Sequence, residues 1–210
     1  MASDDREKAF LARENVDDFL AEEKNSSLFL QQFGYLKKEN VEAIRSTMKQ
    51  WPKYMSLTEA QVEGAKKSLE SEYHDPEFAR IISNDVDRTF LGESVKADHK
   101  RFLMLLKEKF GDYAQSMSYV AGLMLLGLSP AEVYAMMSIM NDDEKYVPGH
   151  WKAKAVPYAT NAYVFFHLLS LRKPEFVAKL RSKGIMPEMV LQKYFQGLAI
   201  QVLPLEAAIA

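Results

Sequence analysis

The chain has 210 residues, of which 48% are hydrophobic and 27% are charged, and its formal net charge at pH 7 is -2. These values describe a globular protein that can bury a substantial core, and they exclude a disordered or fibrous chain. They give no basic surface for nucleic acid, because lysines and arginines occur at most in pairs. Since there is no cysteine, disulfides, thiolate nucleophiles and cysteine metal sites are excluded.

The N-terminal part of the sequence predicts two helices. Ser3 can cap the first, in which Phe10 and Phe19 belong to an apolar stripe. Its acidic composition fits neither a secretory signal nor a transit peptide, so we expect the mature chain to begin here. Asn40 can cap the second helix, and Pro52 is expected to end it.

Three further helices are predicted from their start and end signals. Thr58 opens a capping box at the start of the first, and Asp75-Pro76 supplies the cap and first-turn proline of the second. Asp98 is a candidate cap for the third, which Gly111 is expected to end in the left-handed conformation. Their apolar residues recur at helical spacing, so these faces are predicted to form the core.

Two more helices are predicted in the following stretch. Asp112 is a candidate cap for the first, and Gln115, three residues later, completes the pattern of a capping box. Ser129-Pro130, with Glu132, begins the second. Residues 119–128 are strongly apolar, but they are about half of the roughly 20 residues that a membrane helix needs. This stretch is predicted to be a buried helix, and no segment is expected to span a membrane.

The C-terminal part predicts a charged loop at residues 141–152 and then three helices. Pro174 and Pro187 each fit the first turn of a helix, and Gly184 separates the two. No stretch of the sequence alternates between polar and apolar residues in the way that a half-buried strand does. The sequence therefore predicts an all-α domain of about nine to ten helices with no significant sheet.

Several kinds of site are weakly supported. The four histidines are scattered without the spacing of helical metal ligands, so they are expected to be core or surface residues. Asp85 and Asp87 begin like a calcium loop, but Phe90 and Lys96 stand where such a loop requires glycine and a bidentate glutamate. No glycine-rich loop precedes a Lys-Ser or Lys-Thr pair. We expect no metal and no cofactor of the protein's own.

Two polar residues remain, and each has an ordinary structural interpretation. Arg88 can pair with Asp85 three residues earlier on a helix surface, a contact worth roughly a few tenths of a kcal/mol. Gln115 can fold back onto the helix start as the last residue of the capping box that Asp112 begins. Taken singly, these interpretations are favoured over a catalytic role.

Taken together, the two stretches are similar to a known pair of motifs. "ISNDVDRTF" contains Ile82-x-x-Asp85-x-x-Arg88, and "YAQSMSYVAGLMLL" contains Tyr113-x-Gln115. In this order they resemble the finger motifs of the TBC domain, the Rab GTPase-activating domain. The helix and tyrosine-bearing loop that follow, and the closing helices with "LPLE" near the end, extend the resemblance over about residues 76–210.

The resemblance implies a GTPase-activating protein, not an enzyme in its own right, that acts on a Rab-family GTPase in its GTP-bound state. Arg88 would be the arginine finger that neutralises charge on the phosphoryl group, and Gln115 the glutamine finger that holds the attacking water. Asp85 would orient Arg88, Tyr113 would position Gln115, and Ile82 would lie in the core beneath. GTP and Mg²⁺ would belong to the partner, and the protein would be cytoplasmic, reaching endomembranes and vesicle trafficking through that GTPase.

The sequence also departs from the family's pattern. Ser116 stands where glycine usually follows the glutamine, and Leu91 replaces the usual proline. The expected upstream Arg-x-x-x-Trp is missing, because Lys49 occupies the place of the tryptophan. Residues 1–55 are thus predicted to be a divergent helical region packed on a TBC-like domain at 56–210, which is trimmed or minimal at its C-terminal end.

Two other functions stay open. Ser116 and the divergent N-terminal third favour a catalytically inactive TBC-like module, which would bind a GTPase or scaffold without stimulating hydrolysis. A helical scaffold with neither activity is the third alternative, and it requires Arg88 and Gln115 to be buried or far apart.

Overall fold

The computed structural model describes residues 46–89, 93–125, 127–146, 148–152 and 156–200. In this part the chain forms nine helices, besides a helical turn at residues 46–48, and no strand. This confirms the predicted all-α class. The predicted caps Ser3 and Asn40 lie outside the described residues, as does Leu91, and the boundary near residue 55 stays a prediction.

The helices are numbered here in chain order. They are α1 (Trp51–Tyr54), α2 (Glu59–Glu70), α3 (Pro76–Asp87), α4 (Glu93–Phe110), α5 (Gln115–Met124), α6 (Pro130–Asp142), α7 (Val156–Arg172), α8 (Pro174–Ser182) and α9 (Pro187–Phe195). Helix α4 packs against α2, α3, α5 and α6, whereas α7 packs against α8 and α9. The described part thus has a larger group of helices and a smaller one.

Most of the predicted start signals form in the structure. Thr58 and Gln61 make the reciprocal capping box, with Thr58 N–H donating to Gln61 Oε1 at 2.9 Å and Gln61 N–H donating to Thr58 Oγ1 at 3.3 Å. Asp75 Oδ1 accepts from the N–H of Glu77 at 3.0 Å. Ser129 also forms its predicted box at the start of α6. These local signals confirm the starts of α2, α3 and α6.

The predicted glycine and proline positions are also confirmed. Gly111 ends α4 with a φ of 71°, and its N–H donates to the carbonyl of Lys107 at 2.9 Å. Gly184 separates α8 from α9 with a φ of 68°. Pro174 and Pro187 are the first residues of these two helices, where the missing N–H would have no intrahelical partner.

Two predicted helix limits are wrong. Pro52 does not end a helix but lies in the first turn of α1, where proline is tolerated for the same reason. Asp98 is not a cap, because α4 already begins at Glu93. The residues between Glu93 and Asp98 include lysine and alanine and no helix breaker, so the helix extends upstream of the apolar stripe that suggested its start.

The larger core surrounds α5, in which every residue from Ser116 to Met124 is buried. Its most completely buried side chains are Met48, Ile82, Leu103, Leu106, Met117, Leu123, Met136, Met137 and Trp151. Met48 lies against Gly127 so closely that a Cβ added at Gly127 would be 2.8 Å from the Met48 Cβ. Because α5 runs through this core, the packing fixes the place where its first residue reaches the surface.

The predicted charged loop at residues 141–152 begins later than expected, because Asn141 and Asp142 belong to α6, and its Trp151 lies in the larger core. The Trp151 side chain is fully buried, its Nε1–H donates to the carbonyl of Met137 at 2.9 Å, and its ring stacks on Phe110. Beyond α9, the buried amide of Gln196 donates to the carbonyl of His150 at 3.2 Å. No helix in the described ranges combines the length and the hydrophobicity that crossing a membrane requires.

Candidate functional site

Arg88 lies at the end of α3, and its side chain is exposed but held by hydrogen bonds. Its side chain is 59% exposed, while the Asp85 side chain with which its Nη2 pairs is 4% exposed. Its Nε–H donates to the carbonyl of Asn84 at 3.2 Å. Ile82, one turn before Asp85, is fully buried in the larger core. The guanidinium is therefore held from below by a buried carboxylate while its outer side faces solvent.

Gln115 is the first residue of α5, and its side chain is exposed. The predicted capping box of Asp112 and Gln115 is wrong, because Asp112 Oδ1 instead accepts from the N–H of Tyr113 at 2.8 Å. Ala114 occupies the cap position in an extended conformation and offers no side-chain acceptor. The Gln115 amide consequently does not fold back onto the helix, and it is available to a partner.

Helices α3 and α5 pack against each other, and their contact lies at the arginine. The hydroxyl of Tyr119 donates to the carbonyl of Arg88 at 3.3 Å. Tyr119 follows Gln115 by four residues, so the two share a helix face and lie about 6 Å apart along the axis. Gln115 thus lies one helical turn before the residue of α5 that contacts Arg88, although Arg88 and Gln115 are 27 positions apart in the sequence.

Tyr113 is buried next to the arginine pair. Burial raises the pKa of its phenol, the nearby Asp85 carboxylate raises this pKa further, and Arg88 lowers it. The Tyr113 hydroxyl has no hydrogen bond of good geometry within the described residues. The phenol therefore stays neutral and belongs to the wall beneath the ion pair. That Tyr113 positions Gln115 stays a prediction.

The sequence interpretation missed a buried polar cluster directly below Arg88, made of Thr89, His99 and Ser118. Thr89 Oγ1 donates to the carbonyl of Asp85 at 2.7 Å and lies 2.5 Å from Ser118 Oγ. His99 Nε2 lies 3.1 Å from the same Ser118 Oγ and 3.2 Å from the Ser118 carbonyl oxygen. The one sequence signal for this cluster was the presence of Ser116 and Ser118 in a mostly apolar helix.

The cluster is neutral at physiological pH. Burial lowers the pKa of His99 from 6.5 to about 4, although its bond to the Ser118 carbonyl opposes this change. Its Nδ1 has no partner in the described part of the chain, so a second proton there would find no acceptor. Among the residues that the structure describes, no group of three or more histidines and carboxylates could hold a metal ion.

Comparison with known proteins agrees with this architecture. The sequence matches the family model of the Rab-GTPase-TBC domain over residues 27–210. Because this match covers most of the chain, the protein belongs to the Rab-GTPase-TBC domain family.

A relative in the same family gives the scale of the divergence. Growth hormone-regulated TBC protein 1-A of Danio rerio is 23% identical over 159 residues, which are 70% of this chain and 44% of that protein. The chain thus spans less than half the length of this relative. No solved structure matches the chain.

Proposed function

We propose that the protein is a GTPase-activating protein for a Rab-family GTPase, and that it supplies Arg88 and Gln115 to the GTP-bound partner. The observation that supports the proposal is that both side chains are exposed, and that Gln115 lies one turn before Tyr119, the residue of α5 that contacts Arg88. GTP and Mg²⁺ would belong to the GTPase. The protein would act in the cytoplasm and reach endomembranes through this partner.

The environment of Arg88 suits a finger. The barrier to GTP hydrolysis lies largely in stabilising the charge that develops on the transferring phosphoryl group and in orienting water. Of the five N–H donors of a guanidinium, those on Nε and Nη2 already bind Asn84 and Asp85. The Nη1 side can then meet phosphoryl oxygens, while the buried carboxylate keeps the guanidinium plane from turning.

The environment of Gln115 suits the orientation of the attacking water. An amide carries both a donor and an acceptor, so it can hold the attacking water and a γ-phosphate oxygen without gaining a charge. Gln115 is held through α5, whose next nine residues are all buried. Because the backbone at this helix start is rigid, binding has to order only the Gln115 side chain, which favours precise placement.

The proposal is tested by measuring GTP hydrolysis by a panel of Rab proteins with wild type, Arg88→Ala, Arg88→Lys and Gln115→Ala. We expect stimulation to fall by about 10³-fold or more for Arg88→Ala. Arg88→Lys keeps the charge near Asp85 but loses the planar fork, so it should recover only a small part. Arg181→Ala, which changes an exposed arginine on the distant α8, is the matched control. If Arg88→Ala and Gln115→Ala stimulate as well as wild type, these two assignments are wrong.

A second candidate function is a module that binds the GTPase without stimulating it. Ser116 favours this alternative, since its side chain is buried directly after Gln115 and its Oγ has no partner within the described residues. A buried unpaired hydroxyl is destabilising, and adjustment around it would move Gln115. Binding of a GTP-loaded Rab without faster hydrolysis, together with stimulation gained by Ser116→Gly, would support this alternative.

A further inference from the structure

We propose that Thr89, Ser118 and His99 form a clamp that sets the position of Arg88 relative to Gln115, so that they are positioning residues for GTP hydrolysis. This inference rests on the proposed function, because it concerns how the two fingers are held. All three side chains are buried, with exposed fractions of 5%, 0% and 3% in that order. They therefore act through the groups that they hold, not by contact with the GTPase.

The hydrogen bonds of the clamp run in one direction. The Thr89 hydroxyl proton goes to the carbonyl of Asp85, so Thr89 Oγ1 can only accept from Ser118 Oγ–H across their 2.5 Å contact. The Ser118 hydroxyl proton is then used, so Ser118 Oγ must accept from His99 Nε2–H at 3.1 Å. The same Nε2–H also points to the Ser118 carbonyl at 3.2 Å. Each of these donors then has an acceptor, and among the described residues the other tautomer of His99 would leave a buried Nδ1–H without one.

The clamp acts at the point where the finger leaves the core. Ser118 binds Thr89, while its neighbour Tyr119 binds the carbonyl of Arg88. Two adjacent residues of α5 therefore hold two adjacent residues at the end of α3. Because α5 begins at Gln115, one turn before Ser118, these bonds fix the register between the arginine and the glutamine.

A role in placement explains why the cluster is polar. Apolar side chains of similar size could fill the same space with similar stability, but they would allow the two helices to slide. Catalysis by positioned groups is sensitive to such sliding, since a displacement of about 1 Å can reduce a rate by about 10²-fold. The directional hydrogen bonds of Thr89 and Ser118 prevent the two helices from sliding.

The kinetic test compares Ser118→Ala, Thr89→Val and Thr89→Ser in stimulated GTP hydrolysis. For Ser118→Ala and Thr89→Val we expect the maximal rate of GTP hydrolysis to fall by about ten- to a hundred-fold. The concentration of GTP-bound Rab that gives half of this rate should not change. Thr89→Ser, which keeps the hydroxyl, should restore most of the rate. In an Arg88→Ala background the loss from Ser118→Ala should vanish, because the clamp acts through the arginine.

A distance measurement tests the clamp without a GTPase. The chain has no cysteine, so spin labels can be placed through Asp87→Cys and Gln115→Cys alone. Asp87 is 64% exposed, and its carboxylate pairs with Lys96. Adding Ser118→Ala should broaden the distance distribution between the labels. Adding Ser138→Ala, which removes a hydroxyl from α6 that bonds only within that helix, should leave it narrow.

The two measurements separate the clamp from the proposed function. If wild type stimulates a Rab and Ser118→Ala stimulates it equally, the clamp is refuted and the proposed function stands. If wild type stimulates none, the proposed function fails, and the label distances decide about the clamp. An unchanged distribution in Ser118→Ala then refutes it, and a broadened one supports it.

Discussion

The buried His99 makes the stability of this protein depend on pH. Its Nε2–H donates to Ser118, and its Nδ1 is buried without a partner in the described residues. Protonation would place an N–H and a charge at Nδ1, where nothing accepts them. The folded state therefore resists a proton that the unfolded chain accepts at an ordinary histidine pKa.

The size of the effect follows from the two pKa values. The pKa of His99 falls from 6.5 in the unfolded chain to about 4 in the folded protein. Since one pKa unit corresponds to about 1.4 kcal/mol, keeping His99 neutral contributes about 3 kcal/mol to the free energy of unfolding at neutral pH. Above pH 6.5 both states are neutral and this stability is fully present. As the pH falls, the unfolded state takes up the proton first, so the stability is lost between pH 6.5 and about pH 4. At pH 5 the loss is about 2 kcal/mol.

Urea unfolding of wild type and His99→Gln at several pH values measures this contribution. Glutamine can keep a donor toward Ser118 but does not titrate. The difference in unfolding free energy between the two proteins should therefore shift by about 2 kcal/mol, at the expense of wild type, between pH 7.5 and pH 5. Burial also lowers the pKa of His150. Because both proteins contain His150, its contribution cancels in the difference between them. A difference that does not change with pH would refute the reasoning.

Two further predictions concern packing. Gly127→Ala should destabilise the protein by about 1–3 kcal/mol in urea unfolding, because the new Cβ would meet the Cβ of Met48 at 2.8 Å. Gly64→Ala should instead stabilise the protein by up to about 1 kcal/mol, because the new Cβ in the middle of α2 has no other atom within 4 Å. Equal effects of the two changes on the free energy of unfolding would contradict this explanation. Trp151→Phe should cost about 1–3 kcal/mol by thermal or urea unfolding, since it removes the buried hydrogen bond from the indole N–H to the carbonyl of Met137 and part of the packed ring. A variant as stable as wild type would show that these contacts contribute nothing.

The sequence was sufficient to predict those features that depend on contacts within one helical turn. The box of Thr58 with Gln61, the cap at Asp75 and the left-handed Gly111 all form as predicted. Each depends on backbone groups two to four residues away, which any helix start or end must satisfy. Such groups are available in the sequence without knowledge of the rest of the fold.

The local rules failed where two local solutions compete. Asp112 could cap a helix with Gln115, but it binds the N–H of Tyr113 instead, and α5 starts three residues later. Asp98 has the residue type of a cap and yet lies inside α4. At Asp112 the burial of the apolar residues of α5 determines which turn is the first. At Asp98 the preceding residues contain no helix breaker, so α4 extends past the candidate cap.

The sequence alone determined the all-α class, most helix starts, and the pair Arg88 and Gln115 as a resemblance to finger motifs. Only the tertiary structure decided that the end of α3 lies against α5, through contacts 29 positions apart such as Thr89 with Ser118. It also revealed the buried contact of His99 with Ser118. Helical periodicity tells which residues face the core, but it does not tell which buried polar groups meet there, since that depends on the packing of whole helices.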